Sequence, residues 1–278
     1  MRDIRTIELD DQFQLVDQRD IQYLTKHSGI TLKGVVEVTN EFGEVMWKKH
    51  NLIVAPGRLF VLEKLFNINS PVKPTSLSSQ LHITDKSTDR ENGPHKDEHV
   101  CMFMIGQGGS ELEFGSVNPP NYKDTNLFNP IPFRFVKKEN DLQGEDVNKY
   151  FMRMETSTGY YAYFGKKFET TPEIKVKRIG TDTDVNFSDI DEDFDIYVDI
   201  NLKIDTTDLR EYFNAGEGLE MARFNEIGLV IGQPDLLQTY EGEFRDYSNL
   251  QLFSKLTFNN EALDSNTKEL NINYRIYA

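Results

Sequence analysis

Few stretches of this chain gather groups that could do chemistry. His95-Lys96-Asp97-Glu98-His99-Val100-Cys101 sets two imidazoles and a thiol within seven residues, enough for three zinc ligands. A structural zinc site needs a fourth ligand from a second cluster, however, and His27, His50 and His82 stand alone. Cys101 also falls in the apolar run Val100-Cys101-Met102-Phe103-Met104-Ile105, so the reading is a polar loop end entering a core strand. Asp182, Asp184, Asn186, Ser188 and Asp193 match the oxygen-ligand spacing of a calcium loop. Phe187 occupies the place where that loop needs Gly, and Asp189, Asp191, Asp193 and Asp195 fail in the same way, leaving a solvated acidic turn. Gly106-Gln107-Gly108-Gly109 is followed by no Gly-Lys-Ser/Thr, and Ser110-Glu111-Leu112-Glu113 would set two acids beside a phosphate, so it reads as a turn. Carboxylates are too numerous for any pair to be specific, and there is no Gly-x-Ser-x-Gly elbow or His-Glu-x-x-His helix. The expectation is a protein that is not an enzyme, with no catalytic residue, no cofactor and no metal.

Composition narrows the remaining classes. Asp plus Glu number 46 against 31 Lys plus Arg, a formal charge of -15 that repels phosphates, so specific nucleic-acid binding is not expected. The same charge suits either simple solubility or a surface that passes near DNA without sticking. Phe (19) and Tyr (12) favour strands, and a mean hydropathy of -0.55 describes an extensively polar surface around an adequate core. One cysteine allows no intrachain disulfide and fits reducing surroundings. No run is apolar enough to span a bilayer, and Met1-Arg2-Asp3-Ile4-Arg5 opens no apolar signal core, so the protein is expected to stay where it is made or enter a particle assembled there.

The elements that must position any site are strands. Phe194 to Ile204 alternates apolar and polar residues without a slip, Leu270 to Tyr277 repeats the pattern, and Leu250, Leu252, Ser254, Leu256 and Phe258 give a third run. Such half-buried strands belong to antiparallel sheets. Val35 to Thr39 and Val45 to Val54 flank a turn in which Gly43 supplies positive φ. Pro56 can open a helix over Arg58 to Asn67, apolar nearly all round and therefore buried. The proline-rich 117–133 stretch predicts an extended surface segment. Strands resume at Tyr150 to Met154, Tyr160 to Phe168 and Ile174 to Ile179, and Leu209 to Phe213 predicts a short helix capped by Thr206-Thr207-Asp208. The fold class is therefore mainly β: an antiparallel β-sandwich with one or two short helices and long loops. Residues 1–30 read either as an arm that orders against a partner or as a first strand and short helix of the body. Residues 31–278 form the sandwich, with a polar excursion at 68–98 long enough to reach a neighbour.

Two groups of motifs add a likeness. Ala222-Arg223-Phe224-Asn225-Glu226-Ile227-Gly228-Leu229-Val230-Ile231-Gly232, then Leu252-Phe253-Ser254-Lys255-Leu256-Thr257-Phe258 and the closing Leu270 to Tyr277, resembles the C-terminal half of virion structural proteins of tailed bacteriophages. Asn51-Leu52-Ile53-Val54 leading into Gly57-Arg58, then Ile105 to Gly109 and Asp124-Thr125-Asn126-Leu127 with Pro130-Ile131-Pro132, is similar to the front half. The resemblance covers about two thirds of the chain as short motifs. It implies a non-enzymatic component of a large contractile-tailed phage, assembled in the host cytoplasm and located in the virion at the neck, tail or baseplate. There it would form a ring or collar with copies of itself and other virion proteins, bound to neither nucleic acid nor membrane. The alternative is a carbohydrate-binding or receptor-binding β-sandwich module using Tyr160, Tyr161, Tyr163 and Phe164, whose other role is ordinary packing.

The missing glycine at Phe187 makes calcium dispensable for folding. Thermal melts in calcium and in chelator should coincide; a rise of several degrees in calcium, abolished by Asp184→Ala, would show a working site.

Overall fold

The computed structural model describes residues 33–39, 43–54, 56–57, 60–61, 64, 76–83, 98–110, 116–178, 181, 194–205, 207–216, 223–239, 242–262 and 269–277. The 1–30 arm, the acidic 182–193 stretch and all of the 68–98 excursion except 76–83 and Glu98 lie outside them. The described strands are β1 (Lys33–Thr39), β2 (Val45–Ile53), β3 (His99–Gly106), β4 (Pro130–Ile131), β5 (Arg134–Lys137), β6 (Tyr150–Glu155), β7 (Tyr160–Lys167), β8 (Glu173–Arg178), β9 (Phe194–Asp205), β10 (Arg223–Thr239), β11 (Gly242–Ala262) and β12 (Glu269–Tyr277). Two short α-helices accompany them, α1 (Leu77–Gln80) and α2 (Arg210–Ala215).

Every described pairing is antiparallel, in the order β5-β7-β3-β10-β11-β2-β1-β12-β9-β8, with β4 beside β3 and β6 beside β7. The strands make one strongly curled sheet, a half-barrel, in place of the two separate layers of the expected sandwich. The physical reason lies in β2. Its first part pairs β1, while Leu52 and Ile53 pair Lys255 and Ser254 of β11, so this one strand turns the corner and stitches the halves together. Register shifts at Phe224/Glu226, Leu229/Val230 and Ile231/Gln233 add curl, because each bulge bends its strand and increases local twist.

The half containing β1, β12, β9 and β8 has the single wet face that its alternation predicts. Ile200, Leu202 and Ile204 lie opposite Tyr274, Ile272 and Leu270, all buried. On the other face Arg275 reaches Asp199 at 2.7 Å and Lys203 reaches Glu269 at 2.8 Å. The other half is covered twice. Phe103 and Ile105 of β3 join Ile227, Leu229, Phe253 and the buried residues of β1, β9 and β12 in one core. Cys101, Met102 and Met104 join a second core with Phe151, Phe164, Val230 and Leu252. Burial on both faces explains why β3 reads as an unbroken apolar run although its neighbours are antiparallel.

Between strands, the short turn before β2 carries Gly43 at φ 78°, as the sequence requires. Pro56, Gly57, Phe60, Val61 and Lys64 have helical backbone, with Phe60 and Val61 against the first core. The 117–133 stretch departs from its expected surface course, because Leu127, Ile131 and Phe133 are buried. The excursion likewise touches its own body: α1, capped by the Ser76 hydroxyl accepting from Ser79 N, buries Leu77 in the second core.

Ile272→Ala should lower unfolding free energy by about 2–5 kcal/mol in urea titrations, whereas Asn201→Ala on the wet face should stay within about 0.5 kcal/mol. Equal effects would contradict the assigned faces.

Candidate functional site

Strands covered on both faces leave no water for a charged side chain, so ions placed there must find partners inside. Two such clusters form, both assembled from residues distant in sequence.

The first closes the glycine turn after β3. Glu226 of β10 lies opposite Gly106 and turns its carboxylate into the loop. Oε1 accepts from Gly108 N at 2.5 Å and Asn129 N at 3.1 Å, and Oε2 accepts from Phe128 N at 2.6 Å. The neighbouring Asn225 accepts from Gly109 N at 2.6 Å through Oδ1 and donates to Ser110 Oγ at 3.1 Å through Nδ2. Backbone approaches so closely that a Cβ on Gly109 would stand 2.1 Å from the Asn225 carbonyl oxygen. The turn thus converges amides on a carboxylate, as a phosphate-binding loop does on its ligand, but the anion is the protein's own. Lys255 of β11 completes the cluster, with Nζ 3.0 Å from Asp124, 3.7 Å from Glu226 and 3.0 Å from the centroid of the Phe128 ring. Lys255 and Glu226 are fully buried, and burial pulls the Lys255 ammonium below the usual lysine range against the pull of Asp124 and Glu226.

The second cluster joins β6, β7 and the β9–α2 connection. Lys166 Nζ lies 2.6 Å from Asp208 Oδ2 and 3.4 Å from Asp205 Oδ2, and its side chain is 2% exposed. Tyr150 OH donates to Asp208 Oδ1 at 2.7 Å, and Asp205 N donates to Oδ2 at 2.9 Å. Burial pushes the Asp208 carboxyl above the usual carboxylate range despite the lysine beside it. For Asp205 burial acts in the same direction, but hydrogen bonds from Thr207 and the Lys166 charge outweigh it and hold that group below the usual range. Asp208 is one of the three residues, Thr206-Thr207-Asp208, expected to cap the helix. Its side chain instead points into the core, and Leu209 takes the N-cap position at φ 67° with its N–H on Phe133 O at 2.8 Å. A buried leucine in the left-handed region is strained, and it is in this conformation that Asp208 faces Lys166. Beside it Arg134 clamps α2, with Nε and Nη2 each 2.9 Å from the Glu211 carboxylate and Nη1 2.6 Å from Asp146.

The residues singled out from sequence do not converge here. His95 and the 182–193 acids lie outside the described residues, and His99 and Cys101 stand two positions apart on β3, with His99 exposed, Cys101 buried and its thiol pushed well up by burial. Tyr163 and Phe164 are buried, while Tyr160 stacks on Phe135 at 4.7 Å between centroids and Tyr161 lies under Arg153. Lys166 and Asp205 carry no recognised motif, Asp208 belongs to the expected helix cap, and Glu226 and Lys255 sit inside the phage-like motifs with no role assigned to them. Their signal was a lone charge inside an otherwise apolar strand, visible at Glu226 and Lys255 but meaningful only once both faces were known to be covered.

Glu226→Gln takes the charged acceptor from the turn amides and leaves buried Lys255 to its nearer partner Asp124, and should lower stability by roughly 1–3 kcal/mol, with part restored by adding Lys255→Met. Chemical denaturation of the single and double variants checks this, and an unaffected single variant would show that the pair is idle. Comparison with known proteins finds a match over residues 67–189 to a family of unknown function, DUF7208, under half of the chain, so that each cluster has members on both sides of its C-terminal limit. No curated protein and no solved structure matches.

Proposed function

We propose that this chain is a non-enzymatic structural subunit of a tailed-phage particle, repeated in a ring or collar at the neck, tail or baseplate. Its partners are copies of itself and other virion proteins, and it assembles in the host cytoplasm. The observation that carries the reading is the ribbon made by the outer parts of β10 and β11. Pairing of β10 with β3 stops at Gly232, but pairing with β11 continues from Gln233↔Ser248 to Thr239↔Gly242. Gln233, Tyr247 and Ser248 are still buried in the body, and past them the paired strand continues through 235–239, about 16 Å of extended chain. Among the described residues this ribbon has no third strand, and a two-stranded hairpin alone is marginal in water. A neighbour's sheet edge supplies what it lacks, and head-to-tail contacts of that kind close into rings under cyclic symmetry. The buried ion clusters support the same reading, since they tie strands and loops to one another.

The 1–30 arm remains part of the proposal as a second contact. The 68–98 excursion takes a smaller share than its sequence suggested, because Leu77 is fixed in the chain's own core. The glycan-binding alternative loses the aromatic surface it required: two of its four rings are buried and the other two pack against neighbours within the chain.

Replacing 235–246 by Asn-Gly, which joins the paired residues Pro234 and Tyr247 directly, should leave a β-type circular dichroism spectrum and a monomer. Incorporation into rings or particles should fail for this variant and for a deletion of residues 1–25. Normal assembly by both would refute the proposal.

A further inference from the structure

The Lys166–Asp208 contact has more than the geometry of an ion pair. A primary amine and a carboxyl are held in hydrogen-bond contact at 2.6 Å, with side-chain exposures of 2% and 0%. The other carboxyl oxygen receives the Tyr150 hydroxyl at 2.7 Å, which polarises the C=O bond toward attack at Cγ. A second carboxylate, Asp205 Oδ2, lies 3.4 Å from the same nitrogen, within reach of its protons. The backbone on both sides is fixed: Asp208 N donates to Asp205 O at 3.0 Å, and Leu209 is held in its left-handed conformation by Phe133 O. Tyr150 and Leu209, which touch or adjoin Asp208, belong to the first core together with Phe133, Phe168 and Phe213.

We propose that Lys166 and Asp208 form an intramolecular isopeptide bond, with Asp205 moving the proton. For the attack a proton passes from ammonium to carboxylate, giving amine and carboxylic acid. The Nζ lone pair attacks Cγ, forming the N–C bond and placing charge on Oδ1, where Tyr150 donates. Asp205 takes one proton from the nitrogen and delivers it to the hydroxyl of Oδ2. The C–Oδ2 bond then breaks and water leaves, carrying that proton and the one already on the oxygen. Asp205 returns to its starting state, and no oxidant or other co-reactant is needed. The equilibrium, unfavourable for free amines and acids in water, is drawn to the amide by the fixed juxtaposition of the reactants and the exclusion of bulk water. The product links β7 to the entry of α2 across 42 residues of chain, a covalent tie that constrains the unfolded ensemble. This inference is independent of the assembly reading above, and either can fail alone.

The test is the intact mass of the purified full chain under denaturing conditions, followed by peptide mapping. The expected result is a mass lower than that of the sequence by one water, with a branched peptide containing both Lys166 and Asp208. Asp205→Asn should fold, with an unchanged circular dichroism spectrum, and have the full sequence mass, as should Lys166→Arg. Three results overturn the proposal: a wild-type mass equal to the sequence mass with linear peptides spanning Lys166 and Asp208, a water loss that maps to other residues, or an Asp205→Asn variant that still cross-links as fast as the wild type.

Discussion

Burial of β3, β10 and β11 on both faces is the constraint from which most of this structure follows. A strand with one wet face can carry any polar residue on that face, but these strands cannot. Their polar side chains must meet partners inside: Asn225 and Glu226 accept from amides of the glycine turn and of Phe128, and Lys255 donates to the Asp124 carboxylate and the Asn126 carbonyl. The loops at this end of the sheet are thus fixed by charges in the strands beneath them. Replacing the pair by apolar residues could preserve stability, but the turn amides would lose their acceptors, and the path of the loop would no longer be specified.

The same logic applies to the β9–α2 connection. Thr206-Thr207-Asp208 looks like an ordinary helix start, and Asp205 does accept from Thr207 N at 3.0 Å and Asp208 N at 3.2 Å. Asp208 is diverted because Lys166, buried on β7, outbids the helix for its carboxylate: an unpaired buried ammonium is far more unfavourable than an uncapped short helix. The strain at Leu209 is the local consequence. Arg134 then fastens α2 through Glu211, so that one helix of six residues, too short to be stable alone, is held by this bidentate ion pair and by Phe213 in the core.

The corner at β2 settles the difference between sandwich and half-barrel. Asn51 donates to the Tyr274 hydroxyl, which also contacts Ser254 Oγ at 2.6 Å, so this hydroxyl of β12 is bonded to the corner strand on one side and to β11 on the other. Buried polar contacts of this kind have direction, and they fix the angle at which the halves meet where apolar packing alone would allow sliding.

Taken by itself, the sequence determined the strands whose two faces differ. The alternation of Phe194 to Ile204 and of Leu270 to Tyr277, the turn at Gly43 and the unbroken run at Val100 to Ile105 could be read directly, because side-chain direction in a strand repeats every two residues and local composition reports it. It also showed that the Gly106–Gly109 turn is no phosphate loop, from the acids that follow. Only the tertiary structure decided which charges meet. Lys166 and Asp208, or Glu226 and Gly108, are brought together by strand register and by a corner strand shared between two halves, and neither leaves a periodic trace in the chain. The diversion of Asp208 from cap to core and the burial of Leu77 in a polar segment were invisible for the same reason: local propensity is weak beside the free energy of leaving an ion or an apolar side chain in the wrong medium.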